Sequence, residues 1–241
     1  MIVWTVLSTE QEYQTLMDKG YLVTDDKDPE CMSNHFPEFK LGYDWLSDKL
    51  RKKTNTFFNL WYNFKYNIRK LKYPRWVWLQ VEGHSNPFDV DKLFFSRLPG
   101  SYKFIFFNID PLLILLNDYD LWHYCLNRWH LSLTEEETNI WDNYIKAQQL
   151  DESRIWDNEY LETLSSERYK EAKIVQQQII NSWDNIFDLY NEDEYVHCKN
   201  NEKTIQGVTW VLRKKDIMFI KNVTITQEEI DEYERQFEGD K

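Results

Sequence analysis

A chain of 241 residues with 42% hydrophobic and 17% aromatic content can bury a sizeable core, which excludes a disordered protein. Its net charge of −12 argues against general affinity for duplex nucleic acid and for anionic membrane surfaces. Three scattered cysteines, Cys31, Cys125 and Cys198, supply neither a disulfide framework nor a zinc ribbon, and no long apolar run or charged leader is present, so the expected setting is cytoplasmic.

Ile2 to Leu7 is rich in β-branched and aromatic residues and reads as a strand. Ser8 or Thr9 then caps a helix over about Glu10 to Lys19, with Tyr13, Leu16 and Met17 on one face and Gly20 as its stop. Tyr21-Leu22-Val23 is extended, and Asp25 to Pro37 is a polar loop. Residues 39–71 form a helical insertion divided near Lys52–Thr56. Its first half buries Leu41, Trp45 and Leu46; in its second half Phe57, Trp61, Phe64 and Ile68 recur at helical spacing and predict a buried face. Lys52, Lys53, Lys65, Arg69, Lys70, Lys72 and Arg75 make this the one basic region of an acidic chain, either a solvated helix face or an anion contact.

Pro74 ends the helix and opens a strand over residues 75–81, bulky on both faces as a central strand is. Pro99-Gly100 turns into a strand over 102–109, and Leu112 to Leu116 is a further apolar stretch. Asp118 to Trp129 suits a short amphipathic helix. Thr134 caps a second, strongly charged helical insertion over 134–190, with Trp141, Tyr144 and Ile145 on one face and Ile174, Val175, Ile179 and Trp183 on a later one. Strands near 204–212 and 216–226 read as a closing hairpin around Arg213-Lys214-Lys215, and 227–241 as an acidic helix or frayed tail. Strands at the start, middle and end, separated by helical insertions, predict one α+β domain over 1–241 with a small mixed or antiparallel sheet.

The opening Val3-Trp4-Thr5-Val6, the Tyr73-Pro74-x-Trp76-x-Trp78-x-Gln80 strand, the Leu115-x-x-Asp118-x-Asp120-x-Trp122-His123-x-x-Leu126-Asn127 string, Ser182-Trp183-x-x-Ile186-Phe187-Asp188 and Ile205-Gln206-x-x-Thr209-Trp210 follow one another in that order. With these pieces the chain resembles the bacterial family catalogued as domain of unknown function 3841. The resemblance spans nearly the whole chain and implies one domain in a bacterial or phage protein. It implies no mechanism.

The chemistry must therefore come from the residues. Six Gly in the whole chain, with no G-x-G-x-x-G and no Walker loop, leave no phosphate cradle. His84, His123, His130 and His197 are scattered, and no metal is expected. Asp118, Asp120 and His123 lie close in sequence, as a hydrogen-bonded knot or as ligand contacts. Eleven Trp either fill the core or wall a site for a flat ligand. The enzyme reading is ADP-ribose transfer from NAD as substrate. Such enzymes place a polar residue on an early strand, aromatics on a second and a polar, often acidic, residue on a late one. Trp4 and Thr5 match the first place, Trp76, Trp78 and Gln80 the second, and Gln206 and Thr209 the third, with Thr5 and Gln206 in the catalytic positions and Trp210 as a further ligand contact. This chain departs from that pattern: the first strand lacks His or Arg, and Gln206 cannot act as a general base. The competing readings are a non-enzymatic module for a protein or small molecule, held by aromatic anchors, and a single-strand binder along Lys52–Arg75.

Overall fold

The structure, a computed structural model, describes residues 1–7, 9–24, 37–89, 98–191, 199 and 202–238. The expected loop over 25–37 lies almost wholly outside the described residues, as do Cys31, Cys198 and His197. The chain is α+β. Six strands, β1 (Ile2–Leu7), β3 (Arg75–Gln80), β4 (Gly100–Asn108), β5 (Ile114–Asp118), β6 (Ile205–Thr209) and β8 (Ile217–Ile225), form one sheet in the order β5-β6-β3-β1-β4-β8. Every neighbouring pair is antiparallel. Two short strands, β2 (Tyr21–Leu22) and β7 (Leu212–Arg213), pair separately.

The closing hairpin expected at 204–226 does not form. Both halves are strands, but β6 lies between β5 and β3, whereas β8 pairs with β4 at the opposite edge. Burial decides between the two positions: all five residues of β6 are buried, while β8 is largely exposed. A strand with no solvated residue needs neighbours on both sides, and one left largely in solvent, as β8 is, sits at an edge. The 112–116 stretch divides between a 3-10 turn, Pro111–Leu113, and β5.

The first helix, α1 (Glu10–Lys19), begins and ends as its sequence requires. The Thr9 side chain accepts from Glu12 N, and Gly20 takes φ +77°, where its N–H reaches Leu16 O. Leu16 packs with Val3, Leu7, Ile105 and Phe107 on one side of the sheet. Ion pairs Arg75–Glu12 at 2.7 Å and Lys103–Glu10 at 2.9 Å hold α1 across β3 and β4. On the opposite side, Trp4, Phe104 and Phe106 are closed by Phe88 and by Ile230 and Tyr233 of the last helix, Gln227–Glu238. The tail is therefore helical, and its Thr226 and Glu229 cap each other reciprocally.

A helical layer covers the β5 end. Here α2 (Lys40–Thr54) turns Tyr43, Leu46 and Leu50 inward, and α3 (Leu60–Lys65) follows it. Next, α4 (Tyr119–Asn127) starts where β5 stops. Later in the chain come α5 (Glu135–Gln148), α6 (Asn158–Thr163) and α7 (Ser166–Ser182), followed by the 3-10 turn Trp183–Phe187. Trp45 of α2 stacks on Phe187 and meets Trp183 edge-on, so both rings of the turn hold one side chain of this helix. Val175, Ile179 and Trp183 are buried as expected; Ile174, nominated with them, is exposed, one position around the helix from the buried stripe.

The predicted buried face of 57–68 is reversed. Phe57, Trp61 and Phe64 are 82%, 65% and 87% exposed, and only Ile68 of the four is buried. The inward stripe is Asn59, Tyr62 and Tyr66, with Arg213 over the Tyr62 ring and Tyr66 edge-on to Tyr21. Both stripes recur at helical spacing, and periodicity does not say which one meets the core.

His130 stacks flat on Trp141, with ring centroids 3.8 Å apart, and burial pushes its pKa down to about 4 despite the opposing pull of Glu137. Above pH 6.5 the ring is neutral in both states and stability is full. Between 6.5 and about 4 only the unfolded chain takes the proton, so stability falls with acidity; below that the loss levels off. For a ring still partly in solvent we expect about 1–2 kcal/mol over this window. Urea titrations at stepped pH read it. His130→Phe should flatten the slope, and an unchanged slope would refute the assignment to this residue.

Candidate functional site

Strand register brings the nominated residues of three separate segments into one row. Trp4 of β1 stands opposite Trp78 of β3, Trp78 opposite Gln206 of β6, and Gln206 opposite Asn117 of β5. Directly paired residues share a face, so the four side chains run across four neighbouring strands. The Trp4 and Trp78 rings stack at 6.0 Å and 24°, and the Trp78 ring meets Tyr119 at 5.4 Å. Trp4 is buried and Trp78 only half-buried. Gln206 donates from Nε2 to Asn117 Oδ1 at 3.0 Å. The Nδ2 of Asn117 is buried and meets no acceptor among the described residues. An amide donor left this way is uncommon in a folded interior.

One corner of the sheet adjoins this row. The end of β3, the start of β6 and the junction of β5 with α4 meet there through Lys203 and Thr204. Lys203 O accepts from Gln80 Nε2 at 3.0 Å and from Gly83 N at 2.9 Å. Thr204 Oγ1 accepts from Glu82 N, and Thr204 O from Tyr119 N, each at 3.0 Å. Lys203 itself is buried, and its ammonium donates to the carbonyls of Leu189 and Asn191. The loops that frame the row are thereby tied to one another by backbone and side-chain hydrogen bonds together.

The acidic string opens α4. Asp118 is buried and its Oδ1 accepts from Asp120 N at 2.9 Å and Leu121 N at 3.2 Å, a side-chain cap on the first turn. Asp120 and His123 are exposed, and the His123 ring lies edge-on to Tyr119 with Nδ1 3.1 Å from Tyr119 O. Burial, aided by the charge of Asp120, raises the Tyr119 pKa, which keeps the phenol protonated at neutral pH. Among the described residues no group of three or more His, Cys, Asp and Glu stands close enough to hold a metal ion.

Other nominated residues stand off the row. Thr5 and Thr209 alternate to the opposite face, where Thr5 Oγ1 donates to Trp76 O at 3.1 Å and Thr209 Oγ1 to Leu113 O at 2.9 Å. Trp76 packs against Trp122 and Tyr43. Trp210 is fully buried and its indole N–H donates to Thr54 Oγ1 at 3.2 Å. Asn117, Tyr119, Lys203 and Thr204 belong to the neighbourhood but were not nominated. Asn117 carried one signal, a polar residue ending an apolar run; nothing local marks Lys203 or Thr204.

The row offers one half-buried indole, amide groups that can bond to hydroxyls or a carboxamide, and a protonated phenol at its margin. It holds no general base, because an amide accepts no proton in the neutral range. Among the described residues no helix is long and apolar enough to cross a membrane. No curated protein and no solved structure matches the chain. A family model does: residues 2–218 match the domain of unknown function DUF3841, and the chain belongs to that family.

Proposed function

We propose that this chain is an ADP-ribosyltransferase-like protein that binds NAD on the β1-β3-β6 part of the sheet. One observation carries the reading. The early, second and late strands, each assigned a role on residue type, are next to one another, with Trp4, Trp78 and Gln206 in register. The nicotinamide ring of NAD is a flat cation with one carboxamide. The half-buried Trp78 ring suits its face, and the Gln206–Asn117 amide pair suits its carboxamide or a ribose hydroxyl. Transfer would break the bond from ribose C1′ to the nicotinamide nitrogen and form one to an acceptor, whose proton leaves to a group other than Gln206. Binding is therefore the primary observable and transfer the second. NAD as ligand also fits a cytoplasmic setting.

Calorimetry with NAD and incorporation of labelled NAD by wild type in cell lysate test the reading. Trp78→Ala should weaken binding about tenfold, from loss of one stacking partner. Gln206→Ala should reduce incorporation, with Thr5→Ala, off the row, as the comparison. No heat and no label with wild type, or binding untouched by Trp78→Ala, would remove the proposal.

A further inference from the structure

The 57–69 segment presents a second surface, independent of the NAD reading. Phe57, Phe58, Trp61 and Phe64 project as a ridge, each at least 65% exposed, with Leu60 between them. Isolated apolar residues on a surface need no explanation, but four exposed aromatic rings within eight positions do. Phe57 and Phe58 stand at 80° to one another, 6.1 Å apart. The Lys65 ammonium lies 4.7 Å from the Trp61 ring centroid. Every charged residue between Asp48 and Glu82 is a cation, in a chain whose net charge is −12. The segment itself carries no acid, and its cations beside the exposed rings offer a polyanion an approach.

At the foot of the ridge a cleft of about 750 Å³ lies against the C-terminal end of α2. Asn55, Asn63, Asn67, Phe64 and Arg69 line it. Asn63 donates from Nδ2 to Thr54 O at 3.1 Å, but its Oδ1 is buried and accepts from nothing among the described residues. The support is firm. Arg51 donates to Ile68 O at 3.2 Å and Leu71 O at 3.0 Å and lies 4.7 Å above the Trp210 ring. The rings are therefore presented on a braced element.

We infer that the Phe57–Arg69 ridge and cleft bind single-stranded nucleic acid, with unpaired bases stacked on the exposed rings, amide groups of the cleft against base edges, and phosphates on the flanking cations. Exposed ring faces interleaved with cations and amides suit a strand whose bases are unpaired; a duplex hides those faces. An acidic peptide would satisfy the charge but leave the rings without flat partners.

Fluorescence anisotropy of a labelled single-stranded oligonucleotide, titrated with the full chain at low salt, tests this. Saturable binding that weakens as salt rises is expected. Trp61→Ala with Phe64→Ala should weaken it at least about tenfold, and these exposed positions should leave the melting curve unchanged. Lys65→Ala with Arg69→Ala should lower both affinity and the salt slope. Four results overturn the inference: no binding by wild type; equal affinity for the matching duplex; equal affinity for polyglutamate; or ring-dependent binding to anionic phosphatidylserine vesicles with none to the oligonucleotide. None of these involves NAD, so failure here leaves the row on β1, β3 and β6 to be judged by its own assay.

Discussion

Trp210→Ala should lower the unfolding free energy by about 3–5 kcal/mol, the range for deleting a large ring from a closed core. Trp210 is fully buried just beyond β6. It joins three pieces of the chain: its indole N–H reaches Thr54 at the end of α2, and its ring lies under Arg51, which in turn holds the carbonyls of Ile68 and Leu71. Truncation leaves a cavity and removes the surface on which the guanidinium rests. Trp210→Phe keeps most of the ring and loses one hydrogen bond. The Thr54 hydroxyl still donates to Leu50 O at 2.9 Å, so about 1–2 kcal/mol is expected there. Urea unfolding of the three proteins separates packing from hydrogen bonding. A loss under about 1 kcal/mol for the alanine variant would show that the site collapses without cost. Because Arg51 on the Trp210 ring also holds Ile68 and Leu71 beside the aromatic ridge, the alanine variant should also weaken oligonucleotide binding, although Trp210 itself is fully buried.

Trp183→Ala is the second large effect, again about 3–5 kcal/mol. Trp183 is fully buried and meets Trp45 edge-on at 5.5 Å, joining α2 to the outer helices. Its N–H donates to Trp129 O at 2.9 Å. The neighbouring Ser182 hydroxyl accepts from Leu131 N at 2.9 Å, and Asn185 Nδ2 donates to Leu131 O at 3.1 Å. These bonds fasten the connector between α4 and α5 to the turn after α7. The variant should therefore show faster amide exchange at 129–131 as well as a lower urea midpoint. A lowered midpoint with unchanged exchange would mean the connector is held by the other two bonds alone.

Local chemistry was the readable layer. Thr9, Gly20 and Thr134 act as caps and stop because a side-chain oxygen or a positive φ is decided within one turn of chain. β1, β3 and β4 were visible because branched and aromatic runs pack well on a pleated surface. β5 was not, since five apolar residues suit a buried strand or a helix equally. The last strands suggest a hairpin but take different partners for a related reason: alternation identifies a strand but not its neighbour. The row Trp4–Trp78–Gln206 was half legible. Its members were nominated on residue type, but their alignment depends on register, which long-range pairing sets. The corner at Lys203 and Thr204 left no local trace in the sequence because its partners Gln80, Glu82, Gly83 and Tyr119 lie far along the chain and meet it only through strand pairing.

By itself the sequence determined the α+β class, both ends of α1, the start of α5 and the positions of β1, β3, β4, β6 and β8, since these local elements follow from contacts within a few residues. The tertiary structure decided the strand order, placed Trp4, Trp78, Gln206 and Asn117 side by side, and turned Tyr62 rather than Trp61 toward the core. Those outcomes depend on which surfaces are covered by segments distant in the chain. Two aromatic stripes of equal period are distinguished only by what lies opposite each of them, and the stripe with nothing opposite is the one left in solvent.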